Sequence, residues 1–221
     1  MSVDTGPGES AETVPDDRTR CDWARAGLLR DYHDTEWGRA LRGTTALFER
    51  LALESFQSGL SWLIILRKRD AFRRAFAGFD VATVAAFTEG DVERLMGDAG
   101  IVRNRAKIEA TITNARAVAA LDVDLSDLLW SFAPPRRSRP ASTADLPSSS
   151  PQSAAMAAEL RRRGFRFVGP TTAYALMQAT GMVDDHLEGC WVPPADSSGT
   201  APRCGLPESA PGSSGGGAGA S

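Results

Sequence analysis

Apolar residues recur every three or four positions over most of the chain, the spacing of one face of an α-helix. Glycine, proline and serine-rich stretches divide this pattern into segments. The pattern predicts helices over 45–58, 60–69, 71–79, 125–132, 153–163 and 171–180, and a short helix to Phe87 capped by Asp80 or Thr83. Residues 32–38 look loop-like. Residues 165–170 look strand-like but have no partner run, so we interpret them as a connector. The predicted fold class is all-α.

The stretch 91–119 is predicted to form two helices joined by a tight hairpin. A glycine ends the first apolar stripe, and the second stripe resumes at Ile108. Backbone N–H groups at the start of the second helix, with cations nearby, would suit a nucleic-acid phosphate. An ordinary helical corner with a solvated basic face explains the same pattern. The candidate DNA-binding residues are Gly100, Ile101, Val102, Arg103, Asn104, Arg105 and Lys107.

Composition divides the chain into a folded middle and two ends. The chain has 221 residues and is 42% hydrophobic, which suffices for a full core. We expect a disordered acidic leader over 1–19, a helical domain over 20–194 and a disordered Gly/Ser/Pro-rich tail over 195–221. The two ends hold −4 and −1 of the net charge of −3. The middle is therefore weakly positive, which permits DNA binding without arguing for it.

Cysteine usage and the N-terminus indicate a cytoplasmic protein. The three cysteines are too few for a disulfide framework, and residues 1–4 show neither the basic nor the apolar region of a signal peptide. The most apolar run, 60–66, is too short to span a bilayer. We therefore expect no membrane role.

Both histidines of the chain lie near cysteines in the sequence. Cys21 precedes His33 by twelve residues, and His186 precedes Cys190 by four. Two thiolates and two imidazoles would favour zinc in a closed structural site that joins the two ends of the domain. Asp34 or Asp185 could then accept the second ring N–H of a ligating histidine. The first spacing is wider than that of a zinc finger, so unrelated core cysteines and histidines are the simpler explanation of the pattern on its own.

Several blocks of sequence, taken together, resemble the DNA-3-methyladenine glycosylase I family. The resemblance runs in unbroken order over roughly 20–194, and the number of blocks makes it specific. The blocks are RCDW at 20–23, YHDTEWG at 32–38, LESFQSGLSW at 53–62, DAGIVRNR at 98–105, LWSF at 129–132, and RGFRFVG at 163–169 followed by Asp185 and His186. The resemblance implies a helix-hairpin-helix DNA glycosylase fold with structural zinc bound by Cys21, His33, His186 and Cys190.

The resemblance also implies a base pocket. It places Glu54 and Tyr32 in catalytic positions, with Tyr32 and Trp62 against the flipped base. It places Trp23 and Trp37 in the lining of the pocket. The chemistry agrees, because aromatic faces and a carboxylate favour a cationic methylated adenine over neutral adenine. The implied enzyme is a monomer that acts on double-stranded DNA containing alkylated bases. It hydrolyses the N-glycosidic bond of 3-methyladenine and leaves an abasic site without strand cleavage.

Two alternatives remain open at this point. A non-catalytic, zinc-stabilised helix-hairpin-helix module would bind DNA without breaking a bond, but it would not need Glu54 among aromatics. A glycosylase for other alkylated purines is the second alternative. Without the family resemblance, Glu54 would be interpreted as a solvated helix residue and the tryptophans as core residues. Ser55 and Leu29 depart from the family pattern beside the acid and in the pocket lining.

Overall fold

The computed structural model describes residues 16–194, and this part of the chain contains helices and no strand. The all-α prediction is therefore confirmed for this range. The predictions of disorder over 1–15 and 195–221 lie outside the described residues. Within 16–194 no helix combines the length and apolar character needed to cross a bilayer. The helices are α1 Gly27–Thr35, α2 Thr44–Gln57, α3 Trp62–Ala75, α4 Val81–Ala85, α5 Glu89–Gly97, α6 Arg105–Ala119, α7 Leu125–Trp130, α8 Pro151–Arg162 and α9 Pro170–Ala179, with 3₁₀ turns at Ala77–Phe79 and Thr143–Asp145.

Helix α1 corrects the loop-like interpretation of residues 32–38. Its nine residues have only Tyr32 and His33 buried, so its apolar stripe is too short to show a helical period. Packing against α3 supports it instead. The structure differs from the predicted helices at two further points. The predicted segments 60–69 and 71–79 are largely one helix, α3, and Asp80 rather than Thr83 caps α4 by accepting from the Thr83 N–H.

Helix α2 is the centre of the fold. Nine of its fourteen residues are buried, and it packs against α3, α6, α7 and α9. On one side lies the main core, in which phenylalanines of α2, α3 and the following turn pack against one another. On the other side lies a smaller cluster that contains Cys21, Tyr32, Trp37 and Cys190. Polar side chains on α2 therefore sit between two packed regions.

Helices α5 and α6 form the predicted αα-hairpin, joined by residues 98–104. The Asn104 side chain caps α6 by accepting from the Lys107 N–H at 3.1 Å. The Lys68 ammonium donates to the carbonyl oxygens of Ala99 and Gly100 at 2.8 and 3.1 Å. A Cβ at Gly100 would approach the Cβ of Ala71, on α3, to 3.0 Å. The connector is thus held closely against α3.

The segment after α9 turns back onto the N-terminal part of the chain at Gly181. Gly181 has φ +72°, and a Cβ there would lie 2.7–2.9 Å from backbone atoms of residues 38–40. The Leu41 N–H donates to the Thr180 carbonyl at 3.1 Å, and the Trp191 N–H donates to the Thr19 carbonyl at 2.9 Å. These contacts bring the two ends of the described chain together.

The close approach at Gly181 predicts a specific loss of stability. Gly164→Ala introduces only left-handed backbone strain, since a Cβ there meets nothing within 4 Å, and should lower the free energy of unfolding by about 1 kcal/mol. Gly181→Ala adds a clash with backbone and should cost about 1–3 kcal/mol more. Urea unfolding of both variants measures the difference. Equal losses would show that the turn yields to the added methyl group.

Candidate active site and metal centre

Helix α2 carries two charged side chains into the interior, Arg50 and Glu54. Arg50 is 8% exposed and Glu54 is 6% exposed. Residues four apart lie on one helix face, and this face meets α1, where the Arg50 Nη1 donates to the Tyr32 Oη at 2.7 Å. Trp62, the first residue of α3, packs against Tyr32 with ring centroids 5.4 Å apart. The packing of α3 against both α1 and α2 thus assembles this group.

Glu54, Tyr32 and Trp62 border a cavity of about 250 Å³. The cavity brings together all five residues predicted as catalytic or substrate-binding. Its lining residues are Trp23, Tyr32, Trp37, Glu54, Gln57, Trp62, Leu146, Ala175 and Gln178. Sequence reasoning missed Gln57, Leu146, Ala175 and Gln178. Of these, only Gln57 had a signal, because it lies three residues after Glu54 and shares its helix face.

Aromatic rings form much of the cavity wall. Trp23 and Trp37 meet edge to face, with centroids 5.0 Å apart and planes at 81°. Trp23 lies 6.4 Å from Tyr32 in a tilted arrangement. Rings at such different angles present both faces and edges to the cavity. The faces attract flat, positively charged ligands.

Glu54 is an unusual carboxylic acid in this wall. Burial raises its pKa from 4.5 to about 7, and the charge of Arg50 opposes that rise. No hydrogen bond from residues 16–194 contributes to the shift. The carboxyl group is therefore available to a ligand, and it changes charge near neutral pH.

A network of charged side chains extends from Tyr32 away from the cavity. The Arg50 Nη2 donates to the Glu36 Oε2 at 3.1 Å, and the Arg69 Nη1 donates to the same oxygen at 2.6 Å. Burial opposes ionisation of Glu36, but these two arginines still lower its pKa. Burial, together with the charge of Glu54, raises the pKa of Tyr32 above its usual value. The Tyr32 hydroxyl consequently keeps its proton at neutral pH.

Ser55 and Leu29, the two departures from the family pattern, lie outside this wall. The Ser55 hydroxyl donates back to the Leu51 carbonyl at 2.9 Å. Leu29 is partly buried against the smaller cluster. Their effect on the cavity is therefore indirect.

The four predicted metal ligands converge at the ends of the domain. One ligand atom from each of Cys21, His33, His186 and Cys190 lies within 4.8 Å of the others, and all four residues are buried. The His186 Nδ1 lies 3.3 Å from the His33 Nε2, and the Cys190 Sγ lies 3.5 Å from the same nitrogen. Zinc bonds of 2.0–2.3 Å in a tetrahedron require ligand separations of about 3.3–3.8 Å. The geometry therefore fits a closed tetrahedral site.

Hydrogen bonds orient both imidazoles toward this cluster. The His33 Nδ1 lies 2.8 Å from the Asp34 Oδ1, and the His186 Nε2 lies 3.2 Å from the Trp37 carbonyl oxygen. Burial lowers the pKa of His33, and it lowers the pKa of His186 to about 4. Both rings are thus neutral at pH 7, as ligation requires. Asp185 has no such contact, because it accepts hydrogen bonds from Arg137, Tyr174 and Gln178 instead.

The three hairpin cations among the candidate DNA-binding residues differ in their surroundings. Arg103 is exposed beside Asn104. Arg105 pairs with Glu89 and Glu93. Lys107 is 7% exposed, and its ammonium donates to the carbonyls of Phe56 and Ser58 at 2.9 and 2.6 Å. Lys107 thereby satisfies the carbonyls at the end of α2 instead of facing solvent. In the joint itself, Ile101 is buried, Val102 is half-buried and Gly100 contacts α3.

A larger cavity, of about 580 Å³, lies between α9 and the loop after α7. It includes Trp130, Tyr174 and several arginines, but none of the predicted site residues. Two of those arginines, Arg137 and Arg139, are paired with Asp185 and Asp184. This larger cavity thus lies apart from the residues predicted as catalytic or substrate-binding.

Comparison with known proteins decides the family. The profile described as methyladenine glycosylase matches residues 23–193. The chain belongs to the methyladenine glycosylase family. Membership makes it a glycosylase, an enzyme that hydrolyses N-glycosidic bonds. It is 44% identical to DNA-3-methyladenine glycosylase 1 of Escherichia coli strain K12 over 177 residues, which cover 77% of this chain and 95% of that protein. It is 40% identical to DNA-3-methyladenine glycosylase of Haemophilus influenzae, with coverage of 78% and 96%.

Solved structures of methyladenine glycosylases share the fold. A crystal structure of 3-methyladenine DNA glycosylase I superimposes with a TM-score of 0.76 at 45% identity, covering 78% of this chain and 98% of that one. A variant of 3-methyladenine DNA glycosylase I, solved in complex with 3-methyladenine, gives a TM-score of 0.73 at 34% identity, with coverage of 78% and 96%. The all-helical fold is therefore that of the family.

The raised pKa of Glu54 predicts that the site is built at the expense of stability. Between pH 4.5 and about 7 the unfolded chain releases this proton while the folded protein keeps it, so stability from this group falls as pH rises through the window. The shift corresponds to about 3 kcal/mol above pH 7. Glu54→Gln should therefore raise the free energy of unfolding at pH 8, and less at pH 5.

The matched control is Asp70→Asn on α3, whose side chain is 82% exposed. It should leave stability within about 0.5 kcal/mol at both pH values. Urea unfolding of the three proteins at each pH measures the effect. A Glu54→Gln protein less stable than wild type at pH 8 would show that the carboxylate is stabilising.

Proposed function

We propose that this glycosylase excises 3-methyladenine from alkylated double-stranded DNA. The observation that carries the proposal is the buried carboxyl of Glu54 in an aromatic cavity, which accepts no hydrogen bond from residues 16–194. The target nucleotide leaves the helix and enters this cavity, since a base in the stack is out of reach. Water then hydrolyses the N-glycosidic bond and leaves an abasic site. A methyladenine glycosylase solved with bound 3-methyladenine supports the substrate.

Charge and hydrogen bonding give the cavity its preference. A 3-methylated adenine in DNA is a cation, which the ring faces of Trp62, Trp23 and Trp37 attract. Ionised Glu54 accepts hydrogen bonds from its amino group and attracts its charge. The Trp62 Nε1 is buried and has no acceptor among residues 16–194. An acceptor on the base would satisfy this donor.

The same cation explains why little acid catalysis is needed. When the bond between C1′ and the purine breaks, its electron pair passes to the ring, and the base departs as neutral 3-methyladenine. Tyr32 and Glu54 act on this step by holding the base. None of the cavity residues within 16–194 is a lysine, so no amine is placed to form a Schiff base. This supports a monofunctional enzyme.

The proposed DNA contact is the α5–α6 hairpin, acting as a helix-hairpin-helix motif. Its exposed Arg103 and the N–H groups of α6 face a phosphate, and the joint from Gly100 to Val102 sets their position. Arg105 binds a phosphate only if its ion pairs with acidic residues break. Lys107 acts by holding the hairpin to α2. We further propose that residues 20–194 act as a monomer in the cytoplasm, where thiols stay reduced.

We also propose that zinc occupies the Cys21, His33, His186 and Cys190 cluster. The ion is structural, because four protein ligands leave no position for water. It contributes stability by joining segments that lie more than 150 residues apart in sequence. Its charge also favours the thiolate form of both cysteines.

A non-catalytic DNA-binding module is the rival function. The position of Glu54 argues against it, since a binder gains nothing from a buried carboxyl that lowers stability. The rival and the enzyme differ in product, because only an enzyme releases free base.

Single-turnover excision from methylated duplex tests the enzyme and its residues. Wild type should release 3-methyladenine, identified by chromatography, without cutting the strand. Glu54→Gln should slow release by roughly 10–100-fold, at or below the usual range for acid–base groups because the leaving group is cationic. Tyr32→Phe should lose less than Trp62→Ala, which removes a stacking face. Glu49→Gln, on α2 but paired with Arg73, is the control. If Glu54→Gln matched wild type, the pocket assignment would be wrong.

Metal analysis tests the zinc proposal. We expect one zinc per chain. Cys190→Ser should lose the metal and lower the melting temperature by about 10 °C or more, because binding free energy is folding free energy here. Cys204→Ser, which changes the remaining cysteine of the chain, is the matched control. A wild-type protein that is equally stable without metal would rule the zinc site out.

The salt dependence of duplex binding tests the hairpin. Arg103→Ala should weaken binding to any duplex and reduce the salt slope by about one counterion. Lys107→Met should leave the slope unchanged and lower stability, because its ammonium bonds α2. A slope unaffected by Arg103→Ala would remove the hairpin from the interface.

A further inference from the structure

Arg50 is a buried cation beside a cavity proposed for a cationic base. Its guanidinium lies 5.1 Å from the centre of the Tyr32 ring and 5.7 Å from that of Trp62. A positive charge in this place repels the substrate and competes for the same ring faces. Arg50 should therefore have a function whose benefit outweighs its repulsion of the cationic base.

The hydrogen bonds that Tyr32 can make indicate such a function for Arg50. A tyrosine hydroxyl has one proton to donate and lone pairs to accept with, whereas a guanidinium only donates. The Arg50 Nη1 donates to the Tyr32 Oη at 2.7 Å, so the Tyr32 proton must point away from Arg50. Tyr32 lines the cavity, and a phenol hydroxyl ordinarily keeps its proton at neutral pH. The proton is then directed to whatever acceptor enters the cavity.

We propose that Arg50 is a positioning residue that fixes Tyr32 as a hydrogen-bond donor to the flipped base. The proposal rests on the base-binding role of the cavity given above. The acceptor is an unsubstituted ring nitrogen of the purine. As the bond from C1′ breaks, its electron pair enters the ring and the cation becomes neutral, so the ring nitrogens become better acceptors. A donor held in advance binds the transition state more tightly than the ground state.

The surrounding charges hold Arg50 in this orientation. Glu36 accepts from its second nitrogen at 3.1 Å, and Arg69 holds Glu36 from the other side at 2.6 Å. With Glu54 ionised, these four groups sum to zero charge, so the arriving cation meets a neutral group of residues. Arg50 thus donates to Tyr32 from a fixed position in which its positive charge is neutralised.

A double-mutant cycle tests the proposal through single-turnover excision at saturating enzyme. Arg50→Met should slow excision about tenfold, the effect of misdirecting one hydrogen bond in the transition state. In a Tyr32→Phe background, which lacks the hydroxyl, the same change should alter the rate less than twofold. A merely structural role would give the same factor in both backgrounds. That result would overturn the proposal, as would an unchanged rate for Arg50→Met alone.

Two further variants make the test independent of folding. Arg50→Lys keeps the charge but lacks the fork that reaches both Tyr32 and Glu36. Its smaller loss should also disappear in the Tyr32→Phe background, so it decides the question if Arg50→Met does not fold. Arg116→Met removes bonds to the carbonyls of Ala85 and Phe87 on the other side of the core and should leave excision unchanged in both backgrounds. A wild type that releases no base would refute the proposed function, whereas an additive cycle in an active enzyme refutes only the role of Arg50.

Discussion

The site depends on two opposite charges that α2 holds in the interior one helical turn apart. Neither Arg50 nor Glu54 could be buried alone at tolerable free energy. Arg50 is neutralised from outside by Glu36, whereas Glu54 faces the cavity without a donor from residues 16–194. Glu54 therefore remains ready to meet an incoming positive charge. The aromatic wall, the raised pKa and the Arg50 network all follow from keeping that carboxyl buried and unsatisfied.

Stability is recovered elsewhere in the domain. The main core surrounds α2 on one side, and the proposed metal cluster closes the other side, where the N-terminal and C-terminal segments meet. The cluster shares its neighbourhood with the cavity, because His33 directly follows Tyr32 and the Trp37 carbonyl faces His186. A structural ion at this point would thus fix the position of residues that line the cavity. Fold closure and the proposed substrate binding therefore use the same short segment of chain.

Long apolar stripes, the two histidines with their cysteines, and the glycine at the hairpin were all visible in the sequence. The apolar stripes and the glycine are local signals, so α2 and α6 could be predicted from them. The cysteines and histidines only suggested a metal site, and the family resemblance assigned the four candidate ligands. Helix α1 could not, because its two buried residues show no period. Lys107 was also out of reach, since sequence does not distinguish a solvated cation from one that bonds the end of another helix. The same holds for Arg50 and Glu36, whose partners lie in other elements.

The ammonium of Lys107 bonds α2 where that helix ends, three residues beyond Glu54, and Lys68 fastens the hairpin connector to α3. These bonds tie the hairpin to the helices that line the cavity. If the hairpin binds the sugar-phosphate backbone as proposed, the distance from the bound phosphate to the cavity is set by these bonds. Each position along the duplex would then present one nucleotide at that distance. Under this proposal, lesion selection depends on which nucleotide leaves its stack most readily.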